Sequence, residues 1–225
     1  MVDRYRGFAL LLLAVLPSLA LPAAVQAQST ATPRANPLFH DRFTADPAPL
    51  VVGERLYLYV GHDEAQRDEM FNMRDWRVYS TADMANWVDH GAIMKVADFK
   101  WAKADAWAAQ AIEKDGKFWF SAAVEHDARR APGAVQRQHD ATHPGKAIAV
   151  AVSDTPTGPF VDAKGSALIT NAMTPKGTHS WEDIDPTVFT DDDGTTWIAR
   201  GNRQSKTATI TPHMIERDGP ITEMT

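Results

Sequence analysis

The 225-residue sequence contains no cysteine. Disulfides, thiolate metal sites and thiol nucleophiles are therefore excluded, and the fold must be held by apolar burial and backbone hydrogen bonds. A basic surplus is also missing, since 23 Lys and Arg stand against 29 Asp and Glu. Without basic clusters such a surface offers no electrostatic footprint for nucleic acid or an anionic membrane. There is no Gly-rich phosphate loop and no Gly-x-Ser-x-Gly elbow, which removes P-loop phosphoryl transfer and serine-elbow acyl chemistry. His139 and His143, with Asp140, have helical metal spacing, but Arg137, Pro144 and Gly145 mark a polar loop and no His-Glu-x-x-His arrangement exists, so no zinc site is expected. Asp191-Asp192-Asp193-Gly194 lacks the acidic or amide residue two positions upstream that a calcium loop needs, Phe189 standing there instead, so it is expected to be a hairpin turn.

Long hydrophobic runs are absent after the first thirty residues. The start carries Arg4 and Arg6, an apolar run Gly7 to Leu16, Pro17, Pro22, and then Val25-Gln26-Ala27 with small residues at a cleavage position. This pattern predicts a secretory signal peptide over 1–27 and a secreted or periplasmic mature protein. Two prolines in so short a segment oppose a membrane anchor, so no membrane association is expected after cleavage. Removal of 1–27 takes two arginines and one aspartate, leaving 21 basic against 28 acidic side chains. Residues 28–37 read as a polar lead-in, and a domain is expected over 38–225.

What the sequence does have is an internal repeat. Asp46 to Val52, a turn at Gly53-Glu54 and Arg55 to Gly61 form its first hairpin; Asp105 to Ile112, Asp115-Gly116 and Lys117 to Ser121 its second; Asp185 to Thr190, Asp193-Gly194 and Thr195 to Ala199 its third. Asp-Gly between apolar strands is a strong hairpin signal. Second halves follow at Arg77 to Gly91 and Ile148 to Asp162, and Thr207 to Thr211 could start a third. Two hairpins per unit give a four-stranded sheet, and such units in series suggest a radial array of blades. Strands apolar at neighbouring positions, such as Leu56 to Val60, fit sheets covered on both faces. The class is all-β, with about three blades present.

Two units open with Asp-Pro, at Asp46-Pro47 and Asp185-Pro186. Proline cannot donate to a ladder, so these strands belong at sheet edges, and the innermost strand of a blade is such an edge. Equivalent aspartates 139 positions apart would converge at one mouth of the array. Converging carboxylates are what acid–base hydrolysis of an acetal requires.

At these residues the chain resembles glycoside hydrolase family 43. Thr44 to Pro49, Tyr57 to Tyr59 and Gly61-His62-Asp63-Glu64 look like the first blade of that five-bladed β-propeller, and Arg77 to Ser80 with Asn86 to Gly91 like its outer strands. Ala106-Trp107-Ala108 with Gln110, Val152 to Phe160, and Asp183 to Phe189 with Asp191 to Gly194 resemble the next two.

The resemblance implies an inverting glycosidase acting on arabinose- or xylose-containing plant saccharides. Asp46 matches the general base and Asp185 the aspartate that tunes the general acid's pKa. The acid itself, a glutamate opening a following blade, has no match before residue 225. Glu223 lacks the family's context, so the sequence is expected to be the N-terminal portion of such a domain. Ala109 and Arg200 depart from the family pattern, and Arg200 is expected at the substrate-facing mouth. Trp107, Trp76 and Phe39 are candidate sugar-stacking residues. The resemblance requires no cofactor and leaves a structural cation on the axis optional. Two rivals stay open: a retaining fructosyl-type propeller hydrolase or transferase, and a non-catalytic sugar-binding propeller fragment. An incomplete arc with open edges is expected to self-associate.

Overall fold

Three antiparallel sheets, the first and third of four strands and the second of five, follow one another along the chain in the computed structural model, which describes residues 36–69, 71–126, 145–174, 181–202 and 204–224. The first sheet consists of β1 (Phe43–Val52), β2 (Arg55–Asp63), β3 (Met73–Thr81) and β4 (Val88–Lys95), hydrogen-bonded in that order. The second holds β5 (Ala109–Lys114), β6 (Lys117–Glu125), β7 (Lys146–Ser153) and β8 (Val161–Asp162), with β9 (Ile169–Thr170) also pairing β7. The third is β10 (Thr187–Thr190), β11 (Thr196–Arg200), β12 (Lys206–Ile210) and β13 (Arg217–Glu223). Strands consecutive in sequence pair as neighbours, which makes each sheet a meander, and β5 lies against β1 on one side and β10 on the other. The first strand of every sheet is thus the inner one, which is the arrangement of propeller blades.

Local chemistry explains the hairpins. Between β5 and β6, Asp115 and Gly116 both have positive φ, 53° and 70°, the geometry of a two-residue turn whose twist matches its strands. In β1 the register slips between Ala45 and Ala48, so Asp46-Pro47 forms a bulge where a residue without an N–H breaks no ladder.

Burial follows position in the array. The middle sheet is covered on both faces, and six of the eight β7 residues, Lys146 to Ala151, are buried in an unbroken run. Trp76, Phe99 and Phe120 fill the seam between the first two sheets, with Trp76 5.6 Å from Phe120 and 6.1 Å from Phe99, centroid to centroid. Val188, Ile198, Ala208 and Ile210 are buried in the third sheet. By contrast Phe43 and Val51 of the first sheet and Phe189 of the third are exposed. Gly61 marks the tightest approach: a Cβ there would lie 2.7 Å from Met73 Cε and 3.5 Å from the Ala106 carbonyl. The segment carrying Ala106 crosses from the first sheet to the second at this point, bonding Met73 O through its own N–H at 3.1 Å.

Candidate active site

Each inner strand contains near its start, or is preceded by, an aspartate in the left-handed backbone region. The φ values are 50° at Asp46, 54° at Asp105 and 55° at Asp185. Asp and Asn visit this region more readily than other side chains, although an L-residue there carries a cost of about 1–2 kcal/mol. All three therefore turn the chain in the same way at the same end of three successive blades.

A cavity of about 390 Å³ lies where the inner strands begin, lined by residues 46–49, 108–110 and 185–187. Asp46 and Asp185, from the first and third sheets, meet on it. Both keep contact with solvent, yet enough protein surrounds each carboxyl to disfavour its charge. Burial pushes the Asp46 carboxyl above its ordinary value. Burial, and then the like charge of Asp46, push Asp185 up as well. From the middle sheet Gln110 completes the wall and ties it together, its Oε1 accepting the Val188 N–H at 2.5 Å. Both carboxyls are thus biased toward holding their protons above the ordinary carboxylate range, which suits general acid–base work.

Behind Asp185 the chain is riveted by buried polar side chains. Asp183 accepts from Asn171 Nδ2 at 2.9 Å and Thr174 Oγ1 at 2.6 Å, and pairs with Arg200 at 3.0 Å with both side chains almost fully enclosed. Burial pushes the Asp183 carboxyl up, while the Arg200 guanidinium opposes that shift. Lys206 Nζ meets Glu182 Oε2 at 3.1 Å, again out of solvent. Gly201 N–H donates to Ile184 O at 2.8 Å. Residues 182–184 are thus fixed by four side chains and a backbone bond immediately before the carboxylate that must be placed.

A larger cleft of about 770 Å³, sharing no lining residue with the first, lies between the β2–β3 loop, the end of β4 and the crossing segment, and Asp105 lines it. Asp105 is raised by burial and next by the Glu125 carboxylate. The smaller cavity is the better candidate despite its size, because carboxylates from two blades act on each other there.

The sequence pattern of glycosyl hydrolases family 43 matches residues 35–224. The chain belongs to this family. It is 32% identical over 174 residues to the xylosidase/arabinosidase 43A of Humicola insolens, a match covering 73% of this chain and 45% of that protein. Among solved structures it superposes on an α-L-arabinofuranosidase from Clostridium thermocellum with TM-score 0.62 and 31% identity, covering 84% of this chain and 58% of that one. A β-xylosidase/α-arabinofuranosidase from a compost metagenome, solved with xylotriose, gives TM-score 0.63 at 25% identity over 86% and 63% of the two chains. The chain spans less than half the length of the curated relatives it matches.

Within this family 43 chain the sequence-predicted residues separate. Asp46 and Asp185 come together on the cavity. Trp107 sits at the mouth end, immediately before Ala108 of the cavity wall, but is only 8% exposed. Its ring rests 4.3 Å from Lys146 Nζ. Trp76 corrects the expectation of a sugar platform: it is 1% exposed, enclosed by Phe99 and Phe120, and its Nε1–H donates to Trp107 O at 2.7 Å. Phe39 is likewise displaced from the site, stacking on Tyr79 of β3 at 3.8 Å and meeting Trp87 edge-on at 5.8 Å. Arg200, expected at the mouth, is buried against Asp183. Glu223 closes β13, the outermost strand of its sheet, opposite Lys206 and three strands removed from the inner edge. Asp191 to Gly194 forms the β10–β11 turn, with Asp193 Oδ1 accepting Thr195 N–H at 2.8 Å. The signal segment 1–27, most of the lead-in, and His139, Asp140 and His143 lie outside the described residues.

Two features escaped the sequence reading. Asp105 was legible as the opening of the second repeat but not as a third left-handed aspartate. The Glu182, Asp183, Arg200 and Lys206 network had no spacing signal, since its members lie 17 to 24 positions apart and pair only in the fold.

Proposed function

We propose that this chain supplies the general base, Asp46, and the pKa-setting aspartate, Asp185, of an inverting glycosidase acting on arabinose- or xylose-containing plant saccharides. The observation that carries the reading is the meeting of these two carboxylates, from different blades, on one cavity. A carboxylate there can take a proton from water as it attacks an anomeric carbon, while its neighbour's charge sets the acidity around it. Names of the matched relatives and of the xylotriose-bound structural neighbour support this saccharide class. The mature protein is proposed to be exported after cleavage of 1–27 and to need no cofactor, because its chemistry rests on carboxylates alone.

The mechanism also needs a proton donor for the leaving oxygen, and among the described residues no glutamate lines this cavity. A leaving group of low pKa departs without protonation, so a dinitrophenyl arabinofuranoside or xyloside isolates the role of the base. The folded protein should hydrolyse one of these with inversion, read by proton NMR of the first-formed sugar. Asp46→Asn should lower the rate by about 10²- to 10⁴-fold. Retention at the anomeric carbon would select the fructosyl-type chemistry instead. Sugar binding without turnover of either activated substrate would reject catalysis.

A further inference from the structure

The larger cleft, which the proposed reaction does not use, differs from the carboxylate cavity in the sign of its charge. Its volume of about 770 Å³ falls among those of small-molecule sites, about 300–1,000 Å³. It lies at the same end of the first sheet as Asp46, because Asp63 at the end of β2 pairs with Phe43 of β1 and Met73 of β3, and Asp75 of β3 pairs with Lys95 at the end of β4. Four basic side chains, Arg74, Lys95, Lys100 and Lys103, line it in a chain whose net charge is −6.

The acidic side chains facing this cleft are already engaged. Glu64 pairs with Arg74 at 3.2 Å and lies 3.6 Å from His62. Asp75 lies 3.3 Å from His62 Nδ1 and 3.9 Å from Arg77. Asp105 is biased toward its neutral form by burial and then by Glu125. Lys95 and Lys100 form no ion pair among the described residues, and Lys100 Nζ donates to the Ala97 carbonyl at 2.9 Å. A single solvated lysine holds an anion weakly, but several cations sharing one concavity focus their field on it. Between the charges the lining is apolar, from Met73, Val96, Ala97 and Ala102.

We propose that this cleft is a second binding site, one for an acidic sugar, a hexuronosyl unit whose carboxylate is held by Lys95 and Lys100 and whose ring rests on the apolar floor. The choice of a sugar acid among anions rests on the proposed function, whereas the preference for an anion rests on the cleft alone. A uronate is ionised at neutral pH, so its carboxylate gains charge-assisted hydrogen bonds from the two ammonium groups. Its C–H face covers apolar surface, and its hydroxyls find Asn72 and Asp105 on the same lining. A neutral pentosyl unit gains only the second part of this, so the cleft distinguishes acidic from neutral units of a saccharide.

Nitrogen-15 NMR of the folded protein, titrated with methyl glucuronoside, methyl glucoside and inorganic phosphate, tests the site. The glucuronoside should move the amide signals of residues 72–75 and 95–104 and leave those of 46–49 and 185–187 in place. It should bind at least about tenfold more tightly than phosphate, and than the glucoside, which carries a hydroxymethyl group in place of the carboxylate. Lys95→Gln with Lys100→Gln should weaken the glucuronoside about five- to tenfold, and salt at about 0.5 M should weaken it several-fold. Lys95→Arg with Lys100→Arg, which keeps both charges, should bind within about threefold of the parent. Melting curves that overlay the parent's confirm that the fold is kept. Equal binding of the glucoside would overturn the role of charge, and equal binding of phosphate the assignment to a sugar. Glucuronoside shifts confined to 46–49 and 185–187, or no shift at all, would overturn the second site. None of these binding results depends on hydrolysis of the dinitrophenyl pentosides, so the cleft and the proposed function fail separately.

Discussion

Replacing Trp76 by phenylalanine separates a core tryptophan from a sugar-stacking one. The side chain is 1% exposed and its Nε1–H is bonded to the Trp107 carbonyl at 2.7 Å. Deleting a whole buried aromatic costs about 3–5 kcal/mol, and losing only the pyrrole portion of the indole about a third of that, or about 1–2 kcal/mol. Stripping a buried carbonyl of its donor adds about 1–3 kcal/mol. The sum, about 2–5 kcal/mol, corresponds to a fall in Tm of roughly 5–15 °C for a unit of this size. Differential scanning calorimetry of the parent and Trp76→Phe measures it. Xylose affinity should stay within about threefold in the folded fraction, since no atom of Trp76 lines the cavity. A Tm within about 2 °C of the parent, together with a clear loss of sugar binding, would refute the placement of Trp76 in the core.

The coupling of Asp46 to Asp185 is open to a direct test. Both carboxyls are raised, so the folded chain binds their protons more tightly than the unfolded chain does. Their effect on stability is absent at pH values below the ordinary carboxylate range, and stability falls as pH rises through the raised values. Asp46→Asn removes one such group and the like charge acting on the other. The Asp185 carboxyl should then titrate lower by carbon-13 NMR, and the variant should lose less stability than the parent between about pH 4 and 7; an unmoved Asp185 titration would show that the two do not act on each other. Arg200→Met leaves Asp183 buried without its counter-charge and should cost about 3–5 kcal/mol in urea denaturation, against 1 or less if the cluster is hydrated. The exposed Phe43, Val51 and Phe189 should drive self-association in light scattering, reduced in Val51→Lys with Phe189→Lys; a monomer at every concentration would reject that expectation.

Local signals carried the hairpins well because turn chemistry acts within a few residues. Asp115-Gly116 takes positive φ at both positions, and Pro47 falls at the β1 bulge that its missing N–H demands. The two tryptophans fared differently. In a sheet covered on both faces, alternation no longer marks an inner and an outer side, so Trp76 on β3 and Trp107 before β5 looked alike. Only the packing of β3 against the second sheet puts one in the seam and the other at the mouth. Arg200 misled for a related reason: Asp183, 17 positions earlier, takes its charge inward, and nothing in the sequence pairs them.

The repeated aspartates show where sequence reasoning must yield to geometry. Asp105 has the same left-handed backbone as Asp46 and Asp185, yet it lines the other cleft and answers to Glu125 before any other charge. An aspartate at a blade opening is therefore selected in part by the turn it must make, since Asp and Asn accept positive φ where most side chains resist it. The carboxylate becomes chemical only where a second blade brings another one to the same cavity. This distinction decides which substitutions are informative. Alanine at Asp46 or Asp185 would strain the turn and remove the charge together, mixing a folding defect with a catalytic one. Asparagine keeps the turn and removes only the charge. Asp46→Asn should therefore abolish base catalysis in a folded protein, whereas Asp105→Asn should leave hydrolysis of an activated monosaccharide substrate within about threefold of the parent.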